Sequence, residues 1–224
     1  MAHTWRAWTL SLTAAGALAL ALGARGGAQG GPPPDPSTFP PGDAARGSAK
    51  AASGCAGCHG VGGVSDNPEF PRLAGQQASY LAFQLVVLRA GIRPAGIMNK
   101  IAAGLSDQDI TDLTAYFSAE AIGPAWPSQD EALVKQGQAL FMAGDVKRRV
   151  TACAVCHGNQ GLGVNELGVA AIRHQTPAYL VDVLTEYKTT PDFGVPVANA
   201  MHNVAAPLED GELKALAAYL STMP

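Results

Sequence analysis

All four cysteines of this 224-residue chain lie in two copies of one pentapeptide. Cys55–His59 reads Cys-Ala-Gly-Cys-His, and Cys153–His157 reads Cys-Ala-Val-Cys-His. Two thiols three residues apart on one turn can both reach the vinyl groups of a single porphyrin, and the next residue then places its imidazole under the iron. The pattern is the attachment signal for c-type haem. It predicts two covalently bound haems, with thioethers from Cys55, Cys58, Cys153 and Cys156 and proximal iron ligands from His59 and His157.

Other roles for paired cysteines fit the sequence less well. A zinc ribbon places two Cys-x-x-Cys units about 15 to 20 residues apart, whereas 94 residues separate Cys58 from Cys153. Structural disulfides and a thioredoxin-like pair are both compatible with an exported protein, but neither explains a histidine after each pair. Haem attachment accounts for all four cysteines and for the histidine after each pair.

The two motifs lie in an internal repeat. Each is followed by a Tyr-Leu pair, a methionine, a leucine and a helical segment that contains an aromatic residue. In both copies the methionine, Met98 or Met201, lies seven residues before the leucine and 18 before that aromatic residue. Because the register is shared over this length, we expect both halves to fold alike.

Local patterns are helical. Apolar residues recur at three- and four-residue spacing over residues 77–88 and 177–187, which predicts a helix in each segment. Ser106 followed by Asp109 is a capping signature for another helix. No segment has the two-residue alternation of a convincing strand, so the predicted fold class is all-α. A half of about 80 to 95 residues has a marginal protein core, and we expect the haem to complete it.

The chain is expected to be exported. Residues 1–24 carry His3 and Arg6 before an uncharged, mostly Ala and Leu stretch that ends in small residues, as a signal peptide requires. An uncleaved N-terminal membrane anchor is the alternative. Export predicts a periplasmic protein, tethered to the membrane if the segment is retained.

Composition divides the rest of the chain. Residues 25–42 are rich in Gly and Pro and are expected to form a flexible linker. Two haem domains are then predicted, at residues 43–123 and 128–224. The helix-breaking segment 124–127 is the predicted linker between them.

Composition also excludes several classes of protein. A formal net charge of -3 gives no strongly basic surface for nucleic acid. No uninterrupted apolar run reaches the roughly 20 residues that cross a bilayer. The sequence contains no nucleophile triad, phosphate loop or further metal cluster that would indicate an enzyme, so no catalytic residue is predicted.

The chain resembles the two-domain class I cytochromes c of the cytochrome c4 type. The resemblance covers about 180 residues, from Asp43 to the C-terminus. It implies two helical domains related by a pseudo-twofold axis, haems that face each other across the domain interface, and His/Met coordination of both irons. The segments that carry it, with counterparts in the second half, are Cys55–Gly60, Pro71–Gln76, Tyr80–Leu81, Gln84–Leu85, Met98 and Leu105–Ile110.

Two of the five methionines are assigned as distal iron ligands. Three others are set aside: Met1 in the signal, Met142 in a helical run expected to be core, and Met223 next to the C-terminus. Met98 and Met201 remain, each after its haem motif and in matching register. His174 and His202 are the alternative ligands at the second haem.

The second half departs from the family pattern in one loop. Ala170 stands where the first half has Pro71, the residue whose carbonyl is expected to accept the proton of the proximal histidine. Any residue carries a carbonyl, so the hydrogen bond does not require proline, but we expect a less rigid loop. In the same loop His174 replaces Gly75.

Filled axial positions predict electron transfer, because they leave no open site for a substrate. We expect a periplasmic carrier that passes single electrons between a respiratory donor and a terminal oxidase, associating transiently with membrane complexes. One alternative is a dihaem subunit of a dehydrogenase, such as a flavoprotein of sulfur oxidation. The other is a dihaem enzyme, such as a peroxidase or a thiosulfate dehydrogenase.

The two halves differ in charge. Residues 44–123 hold six basic and six acidic side chains, and residues 128–224 hold seven and ten. Negative charge favours oxidised iron, so we expect the second haem to have the lower potential.

Overall fold

The computed structural model describes residues 33–127, 130–190, 192 and 196–224. Within these residues the chain forms ten α-helices and four 3-10 turns and no strand, with two isolated β-bridges. The predicted all-α fold class is confirmed. The predicted signal peptide, residues 1–24, lies outside the described residues.

The helices fall into two sets of five with the same order and similar lengths. The first set is α1 (Ala44–Gly54), α2 (Ala56–His59), α3 (Ala78–Arg89), α4 (Ile97–Ala103) and α5 (Asp107–Ala119). The second set is α6 (Glu131–Ala143), α7 (Ala154–His157), α8 (Pro177–Thr189), α9 (Pro196–Ala205) and α10 (Asp210–Thr222).

Capping residues fix where several helices begin. Ser106 and Asp109 form the predicted capping box of α5: the Ser106 hydroxyl accepts the Asp109 N–H at 3.1 Å, and the Asp109 carboxylate accepts the Ser106 N–H at 2.9 Å. Asp43 caps α1 by accepting the Arg46 N–H at 2.9 Å. The helical part of the first half therefore begins directly after Asp43.

In each half the first long helix crosses the last one at a glycine. A β-carbon added to Gly47 in α1 would lie 2.0 Å from the Asp112 carbonyl oxygen in α5. One added to Gly137 in α6 would lie 2.0 Å from the Ala215 carbonyl oxygen in α10. The two helix pairs thus touch through their backbones, which only glycine permits.

An ion pair holds the α1–α5 crossing at one end. The buried Asp112 carboxylate accepts hydrogen bonds from the Arg46 guanidinium at 2.7 and 2.8 Å. It also accepts the Asp43 N–H at 2.7 Å. The start of α1 is therefore fixed to the middle of α5.

Each half buries its own apolar residues. The first has two adjoining clusters, one of Ala51, Leu81, Leu113 and Phe117 and one of Ala82, Val86 and Ile110. The larger cluster of the second half includes Phe141, Leu180, Leu213, Leu216, Tyr219 and Met223. The prediction that Met142 is a core residue is wrong: Met142 is 44% exposed, whereas Met223, at 2% exposure, lies in the core. Met142 lies in a helix as predicted, but its side chain points away from the core.

The end of the predicted N-terminal linker is ordered against the first half. Residues Pro36–Thr38 form a 3-10 turn, capped by Asp35. Phe39 then packs on the cluster around Val86, with the Arg89 guanidinium 5.5 Å from its ring centre. One aromatic side chain thus attaches a Pro-rich segment to the core.

The segment between the halves is fixed by hydrogen bonds. The backbone N–H of Trp126 donates to the Ser221 carbonyl in α10 at 2.8 Å. The Arg72 guanidinium stacks on the Trp126 ring at 4.7 Å and donates to the carbonyls of Pro124 and His174. The predicted linker 124–127 is therefore attached to both halves.

A second contact between the halves is an ion pair beside partly buried tyrosines. The Arg93 Nη2 atom lies 2.9 Å from the Glu186 Oε2 atom. Burial, together with the neighbouring Tyr179 and Tyr187, raises the pKa of Tyr80 well above its ordinary value. The Tyr80 phenol beside this ion pair is therefore neutral at physiological pH.

Candidate haem-binding sites

Each Cys-x-x-Cys-His motif forms a single helical turn. In α2 the His59 N–H donates to the Cys55 carbonyl at 3.0 Å, and in α7 the His157 N–H donates to the Cys153 carbonyl at 3.0 Å. The turn holds both thiols and the imidazole of one motif within one short helical segment. It thereby supplies the grouping that attachment of a single porphyrin requires.

The first thiol of each motif does not have the lowered pKa of a redox pair. All four cysteines lie in the described part of the chain, and none of them forms a disulfide there. Burial raises the pKa of the Cys55 thiol, and it raises the pKa of Cys153 to about 11. A thioredoxin-like pair needs a lowered thiol pKa, so the electrostatics disfavour that alternative.

The two motif histidines have the form that a metal ligand needs. Both are buried, and burial lowers the pKa of each imidazole, which keeps it neutral. His59 Nδ1 lies 2.8 Å from the Pro71 carbonyl oxygen, and His157 Nδ1 lies 2.8 Å from that of Ala170. A carbonyl only accepts, so Nδ1 carries the proton and Nε2 keeps its lone pair for a metal.

The missing proline of the second half does not cost this hydrogen bond. Ala170 provides its carbonyl at the same distance as Pro71. The residues present therefore fit a c-type haem in both halves: two thiols, and a neutral imidazole held in one tautomer by the backbone.

The methionines in matching register lie near the start of α4 and in the middle of α9. Met98 is the second residue of α4, and its N–H donates to the Ala95 carbonyl at 3.0 Å. Met201 lies in α9. Both side chains are partly buried.

The residue after each methionine attaches its helix to the preceding long helix. Asn99 Nδ2 donates to the Leu88 carbonyl at 2.8 Å. His202 Nδ1 donates to the Tyr187 carbonyl, also at 2.8 Å. Leu88 and Tyr187 are equivalent positions of α3 and α8, so His202 has the structural role that Asn99 has in the first half.

His174 has a different structural role. Its φ of 55° matches the 66° of Gly75 at the equivalent position. Its ring nitrogens lie 2.8 Å from the Gly123 carbonyl oxygen and 2.7 Å from that of Met223. Both nitrogens thus face backbone carbonyls of the connecting segment and the C-terminus, and neither is left for an iron.

Several of these contacts were not predicted from the sequence. The sequence patterns do not identify the residues that make them, which are Asn99, Arg72, Gln76 and Gln175. The two glutamines nevertheless stand at equivalent places of the repeat. The described residues contain no group of three or more His, Cys, Asp or Glu side chains that could together hold a metal ion. In the same residues, no helix has the length and apolarity to cross a membrane.

The fold and the paired sites agree with comparisons to known proteins. The family model of cytochrome c matches residues 44–119 and 134–224, one segment for each motif. The chain belongs to the cytochrome c family, and its two motifs bind two haem c groups covalently.

The relatives define the branch of that family. Cytochrome c4 of Pseudomonas aeruginosa is 34% identical over 181 residues, covering 80% of this chain and 88% of the relative. The crystal structure of reduced recombinant cytochrome c4 from Pseudomonas stutzeri has a TM-score of 0.75 at 35% identity, covering 80% of this chain and 98% of that one. A protein of Thiomonas intermedia named thiosulfate dehydrogenase electron acceptor is 34% identical, covering 77% of this chain and 80% of the relative. These likenesses place the chain among the dihaem electron-transfer proteins of the c4 type.

Proposed function

We propose that this chain is a periplasmic carrier that passes single electrons between a respiratory donor and a terminal oxidase. In this proposal the irons are held by two pairs of residues, His59 with Met98 and His157 with Met201. The observation that carries it is the equivalence of the two halves. Each has a neutral, backbone-held imidazole and a methionine whose helix is attached to the preceding one by the next residue.

The arrangement suits electron transfer better than catalysis. When bound, a haem with one imidazole and one thioether ligand exchanges a single electron and offers no open position to a substrate. The protein's part is to hold the ligands still: the proximal carbonyls fix the imidazoles, and Asn99 and His202 fix the methionine helices. A fixed ligand set reduces the rearrangement that accompanies each change of redox state.

We also infer that the second haem has the lower potential. The second half carries the acidic excess. The first half buries Arg72, the residue that follows the Pro71 carbonyl holding His59, and its equivalent in the second half is Ala171. A buried cation disfavours oxidised iron, so both features point the same way. Electrons would then pass from the second haem to the first before leaving the molecule.

The ligand assignment is tested by histidine substitutions in the purified holoprotein. Haem stoichiometry should be two per chain, and the oxidised protein should show the methionine-to-iron charge-transfer absorption from both haems. Met98→His and Met201→His should each remove half of that absorption and lower one potential, because imidazole stabilises Fe(III) relative to a thioether. The two variants also assign each redox wave to its haem.

A matched control comes from the exposed methionine of α6. Met142→His should leave the charge-transfer absorption and both potentials unchanged. One haem per chain would refute the dihaem carrier. Full absorption in Met201→His would remove that residue from the ligand set, and a higher potential at the second haem would refute the inferred order.

A second candidate is a dihaem subunit docked to a dehydrogenase. The relative named thiosulfate dehydrogenase electron acceptor favours it, because a close homologue carries a name that ties it to one enzyme. Isolation from native membranes and periplasm decides between the two. A free monomer that is reoxidised by oxidase-containing membranes supports the carrier, and a stable complex with a dehydrogenase supports the subunit.

A further inference from the structure

Two buried glutamines hold the backbone of the opposite half. The Gln175 side chain accepts the Arg72 N–H at 2.6 Å and donates to the Arg72 carbonyl at 2.9 Å. The Gln76 side chain does the same with Ala171, at 2.7 and 2.8 Å. Arg72 and Ala171 are equivalent positions of the repeat. The contacts are therefore reciprocal, and we call the pair the glutamine clasp.

The clasp reaches the peptide groups that orient the proximal histidines. The Arg72 N–H and the Pro71 carbonyl belong to one peptide group, and that carbonyl accepts the His59 proton. The Ala171 N–H and the Ala170 carbonyl likewise belong to one group, which accepts the His157 proton. Each proximal histidine is thus joined through one peptide to a glutamine of the other half.

The orientation of each clasp amide is fixed by a further hydrogen bond. The Gln76 side-chain oxygen also accepts the Gln77 N–H at 2.9 Å, and that of Gln175 accepts the Thr176 N–H at 2.9 Å. Each oxygen therefore faces two N–H groups. Only the amide nitrogen can then face the carbonyl of the opposite half.

We propose that each clasp glutamine is a positioning residue for the haem of the opposite half, Gln175 for the first haem and Gln76 for the second. An acceptor on the N–H side of a peptide polarises it and makes its carbonyl a stronger acceptor. A stronger acceptor at Nδ1 makes the imidazole a more basic iron ligand, which favours Fe(III) and lowers the potential. The inference rests on the proposed ligand roles of His59 and His157.

The test replaces each clasp glutamine by methionine in the full-length holoprotein. Gln175→Met and Gln76→Met keep the side-chain length and lose every clasp hydrogen bond. Gln77→Met is the matched control, because the Gln77 side chain also crosses between the halves, donating to the Leu162 carbonyl at 2.6 Å. That contact touches neither proximal peptide.

Two measurements are made on each variant. A redox titration, with waves assigned through Met98→His and Met201→His, gives the potential of each haem. Proton NMR of the oxidised protein follows the hyperfine-shifted Nδ1–H of each proximal histidine and its exchange with solvent. This resonance exists only if the histidine is bound to iron, so its absence in the wild type would refute the proposed ligation and not the clasp.

Each substitution is expected to affect the haem of the opposite half. Gln175→Met should raise the potential of the first haem and speed exchange of the His59 Nδ1–H by a factor of about 1.2 to 1.7, the equivalent of losing about 10–30% of one neutral hydrogen bond. Gln76→Met should do the same at the second haem and His157. In each variant the haem of the mutated half should shift no more than it does in Gln77→Met.

Three outcomes would overturn the proposal. They are a larger shift at the haem of the mutated half, equal shifts at both haems, or a lower potential at the opposite haem. If a methionine variant fails to bind two haems, the corresponding asparagine variant takes its place. It keeps a polar amide but is one methylene too short to reach both backbone groups, and the same effect on the opposite haem is expected.

Discussion

Replacing Gly47 by alanine tests how closely α1 and α5 approach. The added β-carbon would lie 2.0 Å from the Asp112 carbonyl oxygen and 2.8 Å from the Tyr116 β-carbon. Real β-carbons essentially never lie closer than 3.0 Å to a non-neighbouring heavy atom. A backbone oxygen cannot rotate away as a side chain can, so the two helices would have to separate by about 1 Å.

The size of the effect follows from two opposing contributions. Overpacking of a tight contact costs about 1 to 3 kcal/mol, and we take the upper end because the obstacle is backbone. Alanine is favoured over glycine in a helix by about 1 kcal/mol. Gly47→Ala should therefore lower the free energy of unfolding by about 2 kcal/mol.

Gly54→Ala is the control in the same helix. Gly54 ends α1, and an added β-carbon there would meet no atom within 4 Å. Only the helix preference remains, so this variant should gain about 0.5 kcal/mol. Gly137→Ala, at the equivalent crossing of the second half, should lose as much as Gly47→Ala because its contact distance is the same.

Guanidinium unfolding of the holoproteins, followed by far-ultraviolet ellipticity, measures these differences. The midpoint should be highest for Gly54→Ala, intermediate for the wild type and lowest for Gly47→Ala, with two haems per chain in all three. A Gly47→Ala variant as stable as the wild type would mean that the crossing relaxes at no cost. An equal loss in Gly54→Ala would mean that the backbone contact is not the cause.

Two further predictions concern charges. Arg72→Met removes a buried cation that lies against Trp126 and donates to backbone carbonyls of both halves. In this variant the potential of the first haem should fall in a redox titration, because a buried cation disfavours oxidised iron. An unchanged or higher potential would contradict that effect of the Arg72 charge. Asp112→Asn concerns pH: hydrogen bonding by the Arg46 guanidinium holds the pKa of the Asp112 carboxyl well below its ordinary value. A lowered pKa contributes stability above about pH 4 that is lost as the pH falls toward the folded-state value. The Asp112→Asn variant should therefore be less stable than the wild type at pH 7, and the two acid-unfolding curves should converge below pH 4. A difference in stability that is independent of pH would contradict this role of the Asp112 charge.

Much of the helical structure could be predicted because its signals are local. Periodicity over residues 77–88 and 177–187 located α3 (Ala78–Arg89) and α8 (Pro177–Thr189) to within two residues. The capping signature at Ser106 located the start of α5. Local signals do not say which side of a helix meets the core, and Met142 was therefore placed in the right element on the wrong face.

The candidate sites were predictable to the extent that their residues are contiguous. The motifs name the cysteines and the histidines of both sites, because five consecutive residues contain them. The partners of His174 and Arg72 could not be predicted in this way. They are backbone carbonyls from segments distant in sequence, and a carbonyl has no signature of its own.

Equivalent backbone contacts in the two halves are made by different side chains. Asn99 and His202 both donate to the long helix before them, although an amide and an imidazole share little else. Gly75 and His174 both adopt positive φ and both donate their N–H to the last helix of their own half. In the first half a β-carbon at Gly75 would lie 2.3 Å from an Ile122 carbon, which explains why only the second half has room for a histidine.

Contacts to the backbone thus keep the geometry of the two sites alike while leaving their surroundings free to differ. The proximal hydrogen bonds have the same length in both halves, so they do not by themselves separate the two haems. The residue that follows each proximal carbonyl does differ: it is the buried Arg72 in the first half and Ala171 in the second. The order of the two potentials should therefore depend on that position as well as on the acidic excess of the second half.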